Sequence, residues 1–199
     1  MTGKTQIAKE LSRRIGVPYF KASNERVTFL KAGWGHASAS EEVALESSLN
    51  VLRRKIDRVK EIESNRFLYD LLIADPRMVD FMKQTGQSVV MDRGFPCERV
   101  YAEVMNRETD QLVLQQIDEA YNELGTKIVI CVRNCYDGIV DDIDVRIDAS
   151  VLCQLDERYR NLHNTLACQT MLLRVDDEHG RDRTLDDEMS EILPFLGLE

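Results

Sequence analysis

Met1-Thr2-Gly3-Lys4-Thr5 opens the sequence and runs directly into an amphipathic helical pattern from Gln6 to Arg14. Gly-Lys-Thr at the start of a helix matches the second half of the phosphate-binding pattern G-x-x-x-x-G-K-[ST]. In that pattern, backbone N–H groups surround phosphates, the lysine neutralises the transferred phosphate, and the hydroxyl holds Mg²⁺. The helix N-terminus adds the positive end of its dipole to the same anion site. Gly3, Lys4 and Thr5 are therefore candidate phosphate and metal ligands.

The first glycine of the full pattern, and the buried strand that feeds the loop, would both precede Met1. We therefore predict that Met1 is an internal methionine, and that an extended reading frame contains a strand and a glycine five positions before Gly3. If the 199 residues are the whole product, we expect weak ATP affinity and lowered stability, because neighbouring strands would lack a partner. Gly-Lys-Thr alone is also compatible with a solvent-facing lysine in a helix's first turn.

Composition and charge narrow the class of protein. A chain of 199 residues is long enough for about one domain. The formal net charge of −9 argues against general nucleic-acid binding, because such surfaces are normally basic. No apolar run approaches the ~20 residues that span a bilayer, and no signal-peptide pattern is present, so we expect a cytoplasmic protein without membrane contact. The five cysteines have no C-x-x-C spacing; we expect reduced thiols and predict no zinc site.

Short apolar runs alternate with helical patterns along the chain, which favours a parallel sheet with helices on both faces. The runs that predict strands are 17–22, 88–91, 127–132 and 170–175. The segments that predict helices after the first are 41–63, 66–74, 77–85, 98–105, 110–124, 150–163 and a last helix that begins after Thr184. We predict a single α/β domain over residues 1–199, in which the acidic segment at about 134–148 is a lid-like loop.

Asp92-Arg93 directly follows the second predicted strand and precedes a Gly-Phe-Pro turn. Ligands in open α/β sheets bind at the carboxyl ends of strands. An aspartate there can hold Mg²⁺ or orient the acceptor, and an arginine can contact phosphate through two N–H groups. These are groups that phosphoryl transfer requires. The alternative is a structural ion pair; the position after a buried strand leads us to favour the functional interpretation.

Four segments together resemble the thymidylate kinase and deoxynucleoside kinase group of P-loop kinases, in a phage-type form. They are Met-Thr-Gly-Lys-Thr at 1–5, Leu-Leu-Ile-Ala-Asp-Pro-Arg at 71–77, Val-Val-Met-Asp-Arg-Gly-Phe-Pro-Cys-Glu-Arg-Val-Tyr at 89–101, and the strand pattern 127–133. The third segment is similar to the group's D-R-x-x-x-S-x-x-x-Y signature. The resemblance implies a P-loop NTPase-type parallel sheet, flanked by helices, whose first strand is missing from this chain.

On the donor side, the resemblance implies that ATP and Mg²⁺ are the cofactors. Gly3, Lys4 and Thr5 would bind the donor phosphates, and Thr5 and Asp92 would hold the metal. Lys4, Asp92 and Arg93 would be the catalytic residues, with Arg93 between donor and acceptor phosphates. Arg133 would open the lid near the donor adenine.

On the acceptor side, the resemblance implies three contacts. Glu25 occupies the place of an acidic residue near the acceptor, Arg77 would hydrogen-bond the nucleobase, and Tyr101 would pack against the deoxyribose. Each has a structural alternative: an exposed loop acid for Glu25, a cap on a kinked helix for Arg77, and a core position for Tyr101.

The chain also departs from the group's pattern. Cys97 replaces the signature serine, Ile73 replaces a base-stacking phenylalanine, and Asn106 replaces a glycine. The lid is acidic where the group usually supplies arginines, so Arg158 and Arg160 on the next helix are candidate substitutes.

The function that these residues imply is transfer of the ATP γ-phosphate to a deoxynucleoside monophosphate, with thymidylate favoured. Small-molecule nucleotides are then the expected partners, a homodimer is left open, and the location is the host cytoplasm if the protein is phage-encoded. Two alternatives remain. One is a deoxynucleoside kinase on the same scaffold, with Glu25 as base for a 5′-hydroxyl. The other is a nucleotide-binding protein without turnover.

Overall fold

The computed structural model describes residues 3–20, 75–104, 106, 109–134, 136 and 149–198. The chain divides into two compact units, of which the first comprises residues 1–19, 88–92 and 118–199 and the second residues 20–87 and 93–117. Glu25, Ile73, the predicted helices at 41–63 and 66–74, and residues 137–148 of the predicted lid lie outside the described residues.

Helix α1, Lys4–Ile15, begins and ends at glycines in the left-handed conformation. Gly3 has φ 65° and its carbonyl accepts the N–H groups of Gln6 and Ile7, at 2.8 and 3.0 Å. Gly16, at φ 69°, donates its N–H to the carbonyl of Ser12. Positive φ values are readily available only to glycine, so the sequence fixes both ends of the predicted helix.

The strands among the described residues form two separate pairs. Strand β1, Tyr19–Phe20, pairs with β2, Val90–Met91. Strand β3, Lys127–Val132, pairs in parallel with β4, Gln169–Arg174, and Lys127 lies opposite Gln169. The predicted α/β character is confirmed in this coarse sense. In the described part of the chain the two pairs are not joined into one sheet, and β2 is shorter than the apolar run at 88–91.

Helices cover the parallel pair. Helix α5, Ala149–Leu162, is part of the connection from β3 to β4 and lies against β3, and α6, Leu185–Leu196, follows β4. One hydrophobic core cluster contains residues of α1, of β4 and its following residue, and of α6. Its buried members are Ile7, Leu11, Leu173, Val175, Met189 and Ile192. Val90 of β2 and Val129 and Cys131 of β3 pack against the same cluster. Both strand pairs therefore contribute to one core.

The predicted start of α6 is confirmed. The Thr184 side chain accepts a hydrogen bond from the N–H of Asp187 at 3.2 Å. This is the N-cap geometry expected from a threonine three residues before an acidic side chain. It sets the helix register that directs Met189 and Ile192 into the core.

The described part of the second unit is helical. Helices α2, Asp75–Thr85, and α3, Phe95–Val104, belong to it, as does the start of α4, Gln111–Glu123. The predicted Gly-Phe-Pro turn is wrong, because Phe95 and Pro96 form the first turn of α3. A proline fits there since the first helical N–H groups have no intrahelical acceptor. Within the ranges given above, no helix has the length and apolar content to cross a bilayer.

Candidate functional site

The site centres on a contact between the first turn of α1 and the residue after β2. The Thr5 hydroxyl donates a hydrogen bond of 2.6 Å to the Asp92 carboxylate. Tyr19 of β1 donates a second, longer bond to the same oxygen, at 3.3 Å. Asp92 is only 5% exposed. Because β2 ends at Met91, Asp92 lies at its carboxyl end, and the two side chains predicted as Mg²⁺ ligands are in direct contact.

The N-terminus of α1 carries the backbone geometry of an anion site. The amide groups of Gly3, Lys4 and Thr5 precede the first intrahelical bond, which the N–H of Gln6 makes. Within the described residues no side chain caps this helix end, and the first turn holds no acidic residue. The arrangement leaves the positive end of the helix dipole to an external anion.

Charges from three elements surround the Cys131 thiol on β3. Burial raises the pKa of this thiol to about 12; Lys4 opposes that rise, and Glu188 and Asp92 add to it. Lys4 and Asp92, both predicted catalytic residues, thus act on the same buried atom. The structure brings them to one region of the first unit.

Arg93 follows Asp92 and has φ 76°. A non-glycine residue in this left-handed conformation is uncommon and costs on the order of 1 kcal/mol or more, and such residues concentrate at functional sites. Arg93 itself is exposed. It belongs to the second unit, as do Arg77 and Tyr101, both of which are half-buried; Glu25 lies outside the described residues.

A cleft adjoins the start of α1. The cleft is small, with a cavity volume of about 60 Å³. The lining residues come from α1 and its cap, from the residues after β3 and β4, and from the first turn of α6: Gly3, Gln6, Arg133, Val175, Asp182, Arg183, Leu185 and Glu188. Gly3 and Arg133, both predicted to bind ATP, therefore line one cleft at the carboxyl ends of β3 and β4.

An ion pair and two hydrogen bonds hold Arg133 in place, and the residue is 5% exposed. Its guanidinium pairs with Asp182 at 2.6 Å. Its N–H donates to Asp156 of α5 at 3.0 Å, and its carbonyl accepts from Arg160 at 2.9 Å. These bonds hold the residue at the rim of the cleft.

The Asp156 carboxylate accepts the hydrogen bonds that hold this part of the chain in place. Besides Arg133, it accepts from the Tyr136 hydroxyl at 2.7 Å and from Arg160 at 2.6 Å. Burial and the Asp156 carboxylate raise the pKa of Tyr136, which favours the neutral hydroxyl that donates this bond. Arg160, predicted to replace a lid arginine, instead bonds Asp156 and the Arg133 carbonyl.

A second buried carboxylate joins the ends of β3 and β4. Asp176, 1% exposed, accepts the N–H of Asn134 at 2.9 Å and the Arg174 guanidinium at 3.2 Å. Since Asn134 follows β3 and Asp176 follows β4, the bond fixes the two strand ends side by side. This edge forms one wall of the cleft.

Glu188 is a site residue that the sequence analysis did not identify. It lies in the first turn of α6, is 4% exposed and lines the cleft. Burial raises its pKa to about 7; Arg183 opposes the rise, while Asp182, Asp187 and Glu191 add to it. Among the described residues, its carboxyl group makes no hydrogen bond or ion pair. The sequence does contain one signal for a buried Glu188. Its helical spacing places this polar residue on the apolar face that Leu185 and Ile192 form.

The oxygens of Thr5 and Asp92 fit a magnesium site. Mg²⁺ prefers hard oxygen ligands, and it usually binds through one or two protein groups together with substrate phosphates and water. Over the described ranges, no group of three or more His, Cys, Asp and Glu side chains is placed to hold a metal by itself. Thr5 and Asp92 would supply two of the oxygens that such an ion needs.

Comparison of the chain with protein-family models and with curated proteins gives no match. The resemblance to nucleotide kinases consequently depends on the motifs and on the geometry of Thr5, Asp92 and the cleft.

Proposed function

We propose that this protein is an ATP-dependent nucleotide kinase with a P-loop type of fold. It transfers the ATP γ-phosphate to a deoxynucleoside monophosphate, with thymidylate as the favoured acceptor. The observation that carries the proposal is the 2.6 Å bond from Thr5 to Asp92. It joins the hydroxyl of a Gly-Lys-Thr helix start to a buried aspartate at a strand end, which is the pairing of oxygens that a Mg-nucleotide site needs.

The two strand pairs support the P-loop type of fold. In such a sheet, the strand that leads into the phosphate loop lies in the centre. If that strand is not among the described residues, its neighbours remain as separate pairs. The β1–β2 and β3–β4 pairs, packed against one core, agree with this expectation.

In the proposed mechanism, positioning and electrostatics supply the catalysis. The amides at the start of α1 bind the donor phosphates, and the Lys4 ammonium neutralises the transferred group. Thr5 and Asp92 hold Mg²⁺, which reduces the repulsion between phosphate oxygens when it is bound. Arg93, the next residue after Asp92 in the sequence, is the second cation that we assign to the phosphoryl group. The cleft bordered by Arg133 takes the donor nucleoside.

Transfer of label from [γ-³²P]ATP tests the proposal directly. The protein is incubated with Mg²⁺ and either thymidine monophosphate or thymidine, beside Asp92→Asn and a control, Asp80→Asn, at an exposed position on α2. We expect labelled thymidine diphosphate, its loss in Asp92→Asn, and its retention in the control. Label on thymidine alone would identify a nucleoside kinase, whereas ATP binding without transfer would identify a non-catalytic protein.

A further inference from the structure

Glu188 differs from the other charged groups of the cleft because its charge is not matched by a hydrogen bond. Arg133 is paired with Asp182. Arg183 donates to the Arg174 carbonyl at 2.8 Å and also pairs with Glu191. The Glu188 carboxyl lines the same cleft and, within the described part of the chain, has neither kind of partner. Glu188 as a residue is only 4% exposed, and a largely buried carboxyl group without a partner is costly, since the desolvation of a charge is not repaid.

The chemistry of the cleft determines which part of a nucleotide this carboxyl can meet. A carboxylate repels phosphate, and the start of α1 provides the neighbouring site for anions. The ligand group at Glu188 must therefore be uncharged or positive and must donate a hydrogen bond, because an ionised carboxylate only accepts. The donors on the nucleoside half of ATP are the exocyclic amino group of the base and the ribose hydroxyls.

We propose that Glu188 is a specificity-determining residue of the donor site, which accepts a hydrogen bond from an N–H or O–H group on the nucleoside part of the nucleotide. The inference rests on the proposed nucleotide kinase function. It adds the contact that selects among nucleoside triphosphates. A site built to hydrogen-bond a ligand group discriminates strongly against analogues without it, because its own buried polar group is then left unpaired.

This assignment implies a pH dependence of binding. Burial holds the pKa of Glu188 near 7, with Arg183 opposing and Asp182, Asp187 and Glu191 reinforcing the rise. Cys131 on β3 and Arg133 across the cleft also face this region. The carboxylate form is the stronger acceptor, so ATP affinity should fall as the pH decreases from about 8 to 6, through the pKa of Glu188.

The test measures dissociation constants by titration calorimetry for ATP, purine riboside triphosphate (ATP without the exocyclic amino group) and 2′,3′-dideoxy-ATP with Mg²⁺. Glu188→Met removes the acceptor at similar side-chain length, and Glu188→Gln keeps an acceptor but does not titrate. Glu178→Gln serves as control, because that side chain is 83% exposed. We expect the wild type and the control to prefer ATP by roughly tenfold over one analogue, the strength of one hydrogen bond. Preference over purine riboside triphosphate identifies the amino group, and preference over the dideoxy analogue identifies the hydroxyls.

Glu188→Met should lose that preference, and Glu188→Gln should keep part of it without the pH dependence. Equal binding of all three nucleotides by the wild type, or an unchanged preference in Glu188→Met, would overturn the role of Glu188 and leave the proposed kinase function intact. If the wild type binds no nucleotide, the proposed function fails first and the inference fails with it.

Discussion

The Thr5 hydroxyl lies 2.6 Å from the Asp92 carboxylate, although 87 residues separate them in the sequence. Thr5 is in the first turn of α1, and Asp92 follows β2. The bond therefore ties the start of the helix to the carboxyl end of a strand, at the position where a phosphate ligand would meet a metal ion. It is a structural contact as well as a proposed catalytic one, so each role can be tested separately.

Replacement of Thr5 by valine should destabilise the protein by about 1.5–3 kcal/mol, because the buried Asp92 carboxylate loses its shorter hydrogen bond. Thr5→Ser keeps the hydroxyl and should cost less than about 1 kcal/mol. Urea unfolding followed by circular dichroism measures both free energies. Equal stability of the two variants would mean that the hydroxyl contributes nothing to the fold.

Asp156→Ala should lower the free energy of unfolding and weaken ATP binding together. The variant removes acceptors for Arg133, Tyr136 and Arg160. We expect a loss of about 1.5–3 kcal/mol, the range for hydrogen bonds to a charged group. Tyr136→Phe, which removes one of these bonds, is the matched control and should cost about 1 kcal/mol. Unchanged ATP affinity in Asp156→Ala would show that Arg133 keeps its position without Asp156.

Glu188 should make the folded protein less stable as the pH rises from about 4.5 to 7. Its pKa is raised from 4.5 to about 7, so the folded state binds more protons than the unfolded state in this interval. Stability falls with pH wherever the folded state holds the extra proton. Glu188→Gln should therefore match the wild type near pH 4.5 and exceed it at pH 8, in urea unfolding measured at both values. A constant difference between them at all pH values would contradict the shifted pKa.

The cysteines should differ in reactivity. Cys131 and Cys168 are shielded, and burial raises the pKa of each thiol to about 12. At pH 8 only about one in ten thousand such thiols is ionised, and the thiolate is the reactive form. Iodoacetamide should modify exposed Cys153 in the folded protein, and modify Cys131 and Cys168 only in urea. Peptide mass spectrometry identifies the modified residues; early modification of Cys131 would indicate that β3 is accessible.

Local signals in the sequence were sufficient for several elements. The helical pattern from Gln6 to Arg14 lies within α1, the predicted helix after Thr184 is α6, and the apolar run at 127–132 is β3. Each prediction depended on residue types with a strong conformational preference or on an unbroken apolar run. The same local pattern placed Asp92 at a strand end, which is where the structure has it.

Other features depend on contacts between distant parts of the chain, and periodicity does not reveal them. Tyr19 reaches Asp92 only because β1 pairs with β2. Asp156 acts as an acceptor for residues that follow β3 because α5 packs back against that strand. Glu188 had the polar character of a surface residue, and only the packing of α6 shows that it is buried. The helix starts at Phe95, before the position that the sequence predicts, because a proline fits the first turn of a helix as well as a loop turn.

The central claim is that the first turn of α1 and Asp92 together hold the metal of a bound nucleotide. Paramagnetic broadening by Mn²⁺-ATP in a ¹⁵N–¹H spectrum of the full chain tests it most directly. We predict that the amide signals of Thr5, Gln6 and Asp92 disappear first, that the signal of Gln169, at the amino end of β4 in the same unit, persists, and that Thr5→Val weakens the effect. Sharp signals from Thr5 and Asp92 at saturating Mn²⁺-ATP, or broadening confined to other residues, would contradict the account.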